Sequence, residues 1–103
     1  MSVRLRLIIT RRASRDILKA LDWWEANRPK APDALQDEID RACDLIREQP
    51  RVGVFARNVK MSGVRRVELG RVRYHLYYRE DHAAGAVVVL ALWHTSRGSG
   101  PVL

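Results

Sequence analysis

The chain is poor in the residues that staple, anchor or metallate a small protein. It has a single cysteine, Cys43, so an internal disulfide is impossible, and Cys43 falls within a helix-period apolar pattern that predicts a buried thiol. The histidines His75, His82 and His94 have neither ligand spacing nor acidic or thiol neighbours, so no metal site is expected. No glycine-rich phosphate loop or nucleotide motif occurs, and no cofactor is expected. The apolar part of the run from Ala86 to Trp93 is too short to span a bilayer. Met1 to Arg12 alternate apolar with basic residues and lack the continuous apolar core of a secretory signal, so a cytoplasmic location with no membrane contact is expected. Low-complexity tracts and internal repeats are missing too, and 103 residues suffice for one domain, 1–103, with a loop-like tail at 96–103.

Acidic residues are scarce in one place only. Between Arg51 and Arg79 the basic residues Arg51, Arg57, Lys60, Arg65, Arg66, Arg71, Arg73 and Arg79 face a single acid, Glu68, so this segment carries the whole net charge of +7. The fifty residues before it are nearly balanced, as solvated helix surfaces are. Such a concentration of positive charge implies an anionic partner, either nucleic acid or an acidic protein segment.

What is present reads as an α+β domain. Val3, Leu5, Leu7 and Ile9 alternate with basic residues and predict a half-buried first strand, after which Thr10 is placed to cap a helix. Ala13, Ile17, Leu21 and Trp24 recur at helical spacing up to the break at Asn27-Arg28-Pro29. Leu35, Ile39, Ala42, Cys43 and Ile46 form a second stripe ending before Pro50, with Asp37 and Arg41, and Asp44 and Arg47, at pairing distance. Arg51 to Ser62 has no clean period and is expected to be an ordered loop. Gly63–Leu69, Val72–Arg79 and Ala86–His94 then predict a three-stranded meander. The resulting order, β-α-α-β-β-β, places a helix hairpin on one face of a small, mainly antiparallel twisted sheet.

If Gly70-Arg71 forms a two-residue turn, Leu69 pairs with Val72, Val67 with Tyr74, Glu68 with Arg73 and Arg66 with His75. The helix side then carries Val67, Leu69, Val72, Tyr74, Leu76 and Tyr78. The other side carries Arg66, Glu68, Arg73, His75, Tyr77 and Arg79. A symmetric turn near His82 adds Val87, Val89, Ala91 and Trp93 to the helix side, and Val88, Leu90, Leu92 and His94 to the polar side. A face half cationic and half aliphatic is expected to be covered by a partner that lies over Leu90 and Leu92 and whose acids meet Arg66 and Arg73, with the loop Arg51–Ser62 or a second copy of the chain as the alternative cover. On this register Tyr78→Ala destabilises strongly, while Tyr77 substitutions act on binding.

The segments Val64-Arg65-Arg66-Val67-Glu68-Leu69, Arg73-Tyr74-His75-Leu76-Tyr77-Tyr78-Arg79 and Val89-Leu90-Ala91-Leu92-Trp93-His94-Thr95-Ser96-Arg97 resemble the C-terminal half of RelE/ParE-family toxins of type II toxin–antitoxin systems. The likeness extends along the whole chain. It implies a cognate, ParD-like antitoxin whose acidic, flexible C-terminal segment folds across the toxin in a hetero-oligomer. The antitoxin- or target-binding residues it suggests are Arg65, Arg66, Arg73, His75, Tyr77 and Arg79, with Val88, Leu90, Leu92, His94 and Arg97.

The family holds two kinds of poison. A RelE-like, ribosome-dependent mRNA endonuclease needs a base, an acid and phosphate clamps; Arg66, Arg73, His75, Tyr77, His94 and Arg97 are the candidates here. A ParE-like member poisons DNA gyrase by binding. The resemblance favours the second, because His75 stands where many relatives have arginine and the tail Pro101-Val102-Leu103 lacks the catalytic tyrosine of some nucleases. A plain nucleic-acid-binding regulator is a further alternative, explaining the charge but not the aliphatic half of the face.

Overall fold

The computed structural model describes residues 4–103. In chain order its elements are β1 (Arg6–Ile9), α1 (Arg11–Asn27), α2 (Ala34–Glu48), β2 (Val54–Phe55), β3 (Val64–Leu69), β4 (Tyr74–Asp81) and β5 (Ala86–His94). The strands form one sheet in the order β1-β5-β4-β3-β2. All neighbours are antiparallel except β1, which runs parallel to β5. A parallel neighbour needs a long crossover, and the two helices supply part of it. The expected order of elements is present, with the two-residue β2 added inside the region expected to be loop.

Each helix forms where its pattern says it should. The Thr10 side chain accepts a hydrogen bond from the Ala13 N–H at 3.1 Å and so caps α1. Leu35, Ile39, Ala42, Cys43 and Ile46 are all buried along α2. The two same-helix ion pairs expected on α2 do not form. Arg41 pairs with Glu38 at 3.3 Å, Asp44 takes Arg4 at 2.7 Å, and the Arg47 guanidinium donates to the Leu5 carbonyl at 2.8 Å. Helix pairs of this kind are worth only a few tenths of a kcal/mol, so tertiary partners that tie the chain before β1 to α2 displace them easily. Leu5 and Leu7 pack on the core as expected; Ile9, last in the strand, is 40% exposed, and Val3 lies outside the described residues.

Two features reset the expected register. The β3–β4 connection is four residues, Gly70 to Arg73, closed by the Val72 and Arg73 N–H groups donating to the Leu69 carbonyl at 3.0 and 3.1 Å. Leu69 therefore faces Tyr74, Glu68 faces His75, and Arg66 faces Tyr77, a shift of two residues from the expected pairing. Because side chains alternate with a period of two, the shift changes partners and leaves the faces intact. Arg73 leaves the sheet and sits at φ 59°. In the β4–β5 pair, Tyr78 faces Val89 but Tyr77 faces Ala91, so Leu90 is the extra residue of a bulge. That single residue inverts the alternation beyond it. Leu92 joins the helix-side core and Ala91 and Trp93 the opposite one, the reverse of the sequence expectation.

The sheet consequently has a core on each side. Under the helices lie Leu35, Ile39, Ile46, Leu76, Tyr78 and Val89 with their neighbours. On the other side a smaller cluster joins Ala56, Val64, Tyr77, Val88, Leu90 and Ala91.

Candidate functional site

The face expected to await a partner is largely closed by the chain itself. Val59 and Leu103 pack against Tyr77, Val88 and Leu90, which are 1%, 8% and 7% exposed. The Asn58 amide donates to the Tyr77 hydroxyl at 3.0 Å and to the Ser99 carbonyl at 2.6 Å. The Met61 N–H donates to the Leu103 carbonyl at 3.2 Å, and Arg12 donates to the Val102 carbonyl at 2.7 Å. The tail is thus a strap fastened at three points. Alternation correctly put Tyr77, Val88 and Leu90 on this side; of the covers weighed from the sequence the loop is the one present, and the tail that joins it was not foreseen.

Beside the strap a narrower polar strip stays open. Here His75 on β4 lies between Glu68 on β3 and Trp93 on β5, with Arg66 one register step away. The His75 pKa is lowered from the usual histidine value, first by burial, then by the Arg66 charge, with Glu68 opposing. The ring is held neutral near pH 7 and meets the Tyr77 ring edge-on at 6.3 Å. Arg65, on the helix-side alternation, serves the fold: its guanidinium lies 3.9 Å from the Phe55 ring centroid and donates to the Gly53 carbonyl at 2.8 Å. Arg79 is half-buried opposite Val64 and Val88, and its Nε finds no partner among the described residues.

A second surface appears where β4 and β5 end beneath α1. Tyr74 and His94 meet edge to face with centroids 5.0 Å apart, and Trp23 and Arg97 line the same depression. An adjoining volume of about 550 Å³ is lined by Trp24, Arg28, Arg71 and Arg73 as well. The Arg28 guanidinium lies over Trp23 at 5.2 Å and Trp24 at 5.9 Å, while Arg97 lies over Trp93 at 4.3 Å. His94 Nδ1 accepts from the Ser96 N–H at 3.1 Å and contacts the Ser96 hydroxyl at 2.6 Å, leaving Nε2 to carry the proton of the neutral ring. Burial raises the Tyr74 pKa and the Arg97 charge opposes it. Asp16, an acid lining this region, is already engaged by the Leu92 N–H at 3.1 Å and by Arg12 at 3.4 Å.

The sequence-derived candidates therefore divide. Arg73, His94 and Arg97 come together at the groove; Arg66 and His75 share the strip; Tyr77, Val88 and Leu90 are packed under the strap; Leu92 is core; Arg65 braces β2. Sequence reasoning missed Trp23, Tyr74, Arg28 and Arg71 as groove residues. The signal was faint: Trp23 stands off the apolar stripe of α1, where a ring that size has no packing reason to be. No group of three or more metal-ligating side chains is gathered among the described residues.

Comparison with known proteins gives these surfaces a context. The family described as ParE toxin of type II toxin-antitoxin system, parDE, matches residues 7–98. No curated relative matches. Among solved structures, the chromosomal ParDE toxin–antitoxin system from P. aeruginosa is similar at a TM-score of 0.71 and 21% identity, covering 90% of this chain and 98% of that one. The toxin–antitoxin complex RelBE2 from Mycobacterium tuberculosis is similar at 0.59 and 28% identity, covering 89% and 92%. The isolated E. coli RelE toxin is similar at 0.54 and 18% identity, covering 91% and 87%.

Proposed function

This chain belongs to the ParE toxin family of type II toxin–antitoxin systems, and from that premise we propose that it arrests growth in the cytoplasm by binding and poisoning DNA gyrase. A cognate, ParD-like antitoxin with an acidic flexible C-terminal segment neutralises it in a hetero-oligomer. The observation that carries the binding mechanism is the division of the residues an mRNA endonuclease would use between two places, Arg66, His75 and Tyr77 on one and Arg73, His94 and Arg97 on the other. Such a reaction needs a base, an acid and cations within hydrogen-bonding reach of one phosphate. Here the Tyr77 hydroxyl is enclosed and engaged by Asn58, His94 lies by Tyr74 at the groove, and His75 lies on the open strip. The cation at Arg66, which forms no ion pair among the described residues and lies on the open strip, suits recognition of acidic surface.

The test is plasmid supercoiling by purified gyrase and ATP, with the chain alone, with its antitoxin, and as Arg66→Ala. Loss of supercoiling, relieved by antitoxin and weakened by the substitution, is the expected result. Normal supercoiling, together with mRNA cut in translating ribosomes, would replace this reading with the RelE-like one. In that case His75, held neutral beside Arg66, is the first base to substitute.

A further inference from the structure

The groove between α1 and the ends of β4 and β5 combines two properties that neither core packing nor fold stability requires. It presents aromatic rings, with Trp23 still 46% exposed although Arg28 lies over it. It also gathers positive charge: Arg28, Arg73 and Arg97 border the rings, while Asp16 in the lining is engaged by Arg12 and the Leu92 N–H, and Glu38 beside Arg71 is shared with Arg41. We propose that this groove is a binding site for single-stranded nucleic acid, in which a base stacks against Trp23 and the flanking phosphates lie on Arg73 and Arg97.

Rings beside guanidinium groups are the chemistry of single-strand recognition, because every base offers a π-face and every linkage a negative charge. A duplex would bring the charge but keep its bases stacked on one another. An acidic peptide would use the cations and waste the rings. It would also find no aliphatic socket, since Ala20, Val72 and Leu92, the aliphatic residues in the lining, are 7%, 4% and 3% exposed. The backbone of Arg73 adds a second argument. It holds the left-handed region at φ 59°, a conformation that disfavours any residue with a Cβ, and in doing so places a guanidinium at the groove mouth where glycine would be easier.

The experiment titrates the full chain with a labelled oligothymidylate of about ten nucleotides, within the range of single-strand sites, following anisotropy and tryptophan fluorescence. Saturable binding that quenches tryptophan, weakens by about tenfold in Trp23→Ala, and loses about one unit of salt slope in Arg73→Gly is the expected result. Trp23 is half in solvent and Arg73 already has a glycine-like backbone, so both variants keep the fold; melting curves verify it. An oligouridylate arm tells a DNA preference from an RNA one. No binding would overturn the proposal. So would binding untouched by Trp23→Ala and displaced equally by polyglutamate, which describes a surface that reads charge alone. Gyrase is absent from the assay, so the outcome is independent of the gyrase reading.

Discussion

At the scale of single residues, Tyr77 and Tyr78 show how neighbours in one strand reach the same burial by different routes. Tyr78 is fully buried under the helices, its hydroxyl accepting from the Gly53 N–H at 2.9 Å and donating to the Pro50 carbonyl at 2.8 Å. Tyr77 points the other way and is buried by the loop and tail. The expectation that its loss would affect binding more than stability is therefore corrected: Tyr77→Ala and Tyr78→Ala should each cost roughly 3–5 kcal/mol in urea unfolding. Tyr77→Phe, which removes only the hydroxyl that faces Asn58, should cost about 1 kcal/mol. Cys43 gives a pH prediction. Burial, helped by Asp40 and Asp44, raises its thiol from 9.0 to about 11. The unfolded chain then loses this proton at lower pH than the folded one, so its contribution is intact below pH 9 and is lost as pH rises towards 11. Compared with Cys43→Val, the native chain should lose on the order of 2 kcal/mol more over that interval. An identical pH dependence in the two proteins would remove Cys43 as the cause.

At the scale of elements, α1 depends on its cap and β2 on a glycine. Thr10→Ala leaves the Ala13 N–H without its acceptor and should cost about 1 kcal/mol, read as a lower melting temperature. Gly53 is needed for close approach: a Cβ there would lie 2.8 Å from the Arg66 carbonyl and 2.7 Å from the Tyr78 hydroxyl. Gly53→Ala must push backbone from backbone, and should loosen β2 from β3 and free the Arg65–Phe55 contact. Amide exchange at Ala56, whose N–H donates to the Val64 carbonyl, reports that loosening directly. The same elements mark where sequence patterning held and where it failed. Stripes on α1 and α2 were legible because helix-facing residues repeat within one element. The bulge at Leu90 was not, since nothing in a run of Val, Leu and Ala distinguishes the residue that will be left unpaired.

At the scale of the whole molecule, the strap decides what the helix-free face can meet. Removing residues 101–103 takes away Leu103 from the second core and the carbonyls that Arg12 and Met61 donate to. The truncated chain should bind a hydrophobic dye and melt earlier, because Val88 and Leu90 would gain solvent; unchanged melting and no dye binding would show the strap to be energetically idle. An acidic partner reaching the strip at Arg66 and His75 meets a surface bounded by this strap, whereas the groove beneath α1 lies at the strand ends. The two surfaces are separate places on the molecule.

Composition and periodicity by themselves determined the α+β order, both helix stripes, the core side of β3, β4 and the first part of β5, the buried thiol, and the placement of positive charge in one segment. These are local quantities, each set by residues within a few positions of one another. Motif order along the chain was enough to place it in its toxin family. Only the tertiary structure decided which residues of the sheet stay open. A four-residue turn where two were expected, one extra residue in β5, and a tail that folds back over Tyr77 are long-range outcomes, governed by how surfaces distant in sequence pack. For the same reason the groove at Trp23 and Tyr74 could not be read from the chain: its walls are about fifty residues apart and share no pattern until α1 lies on β5.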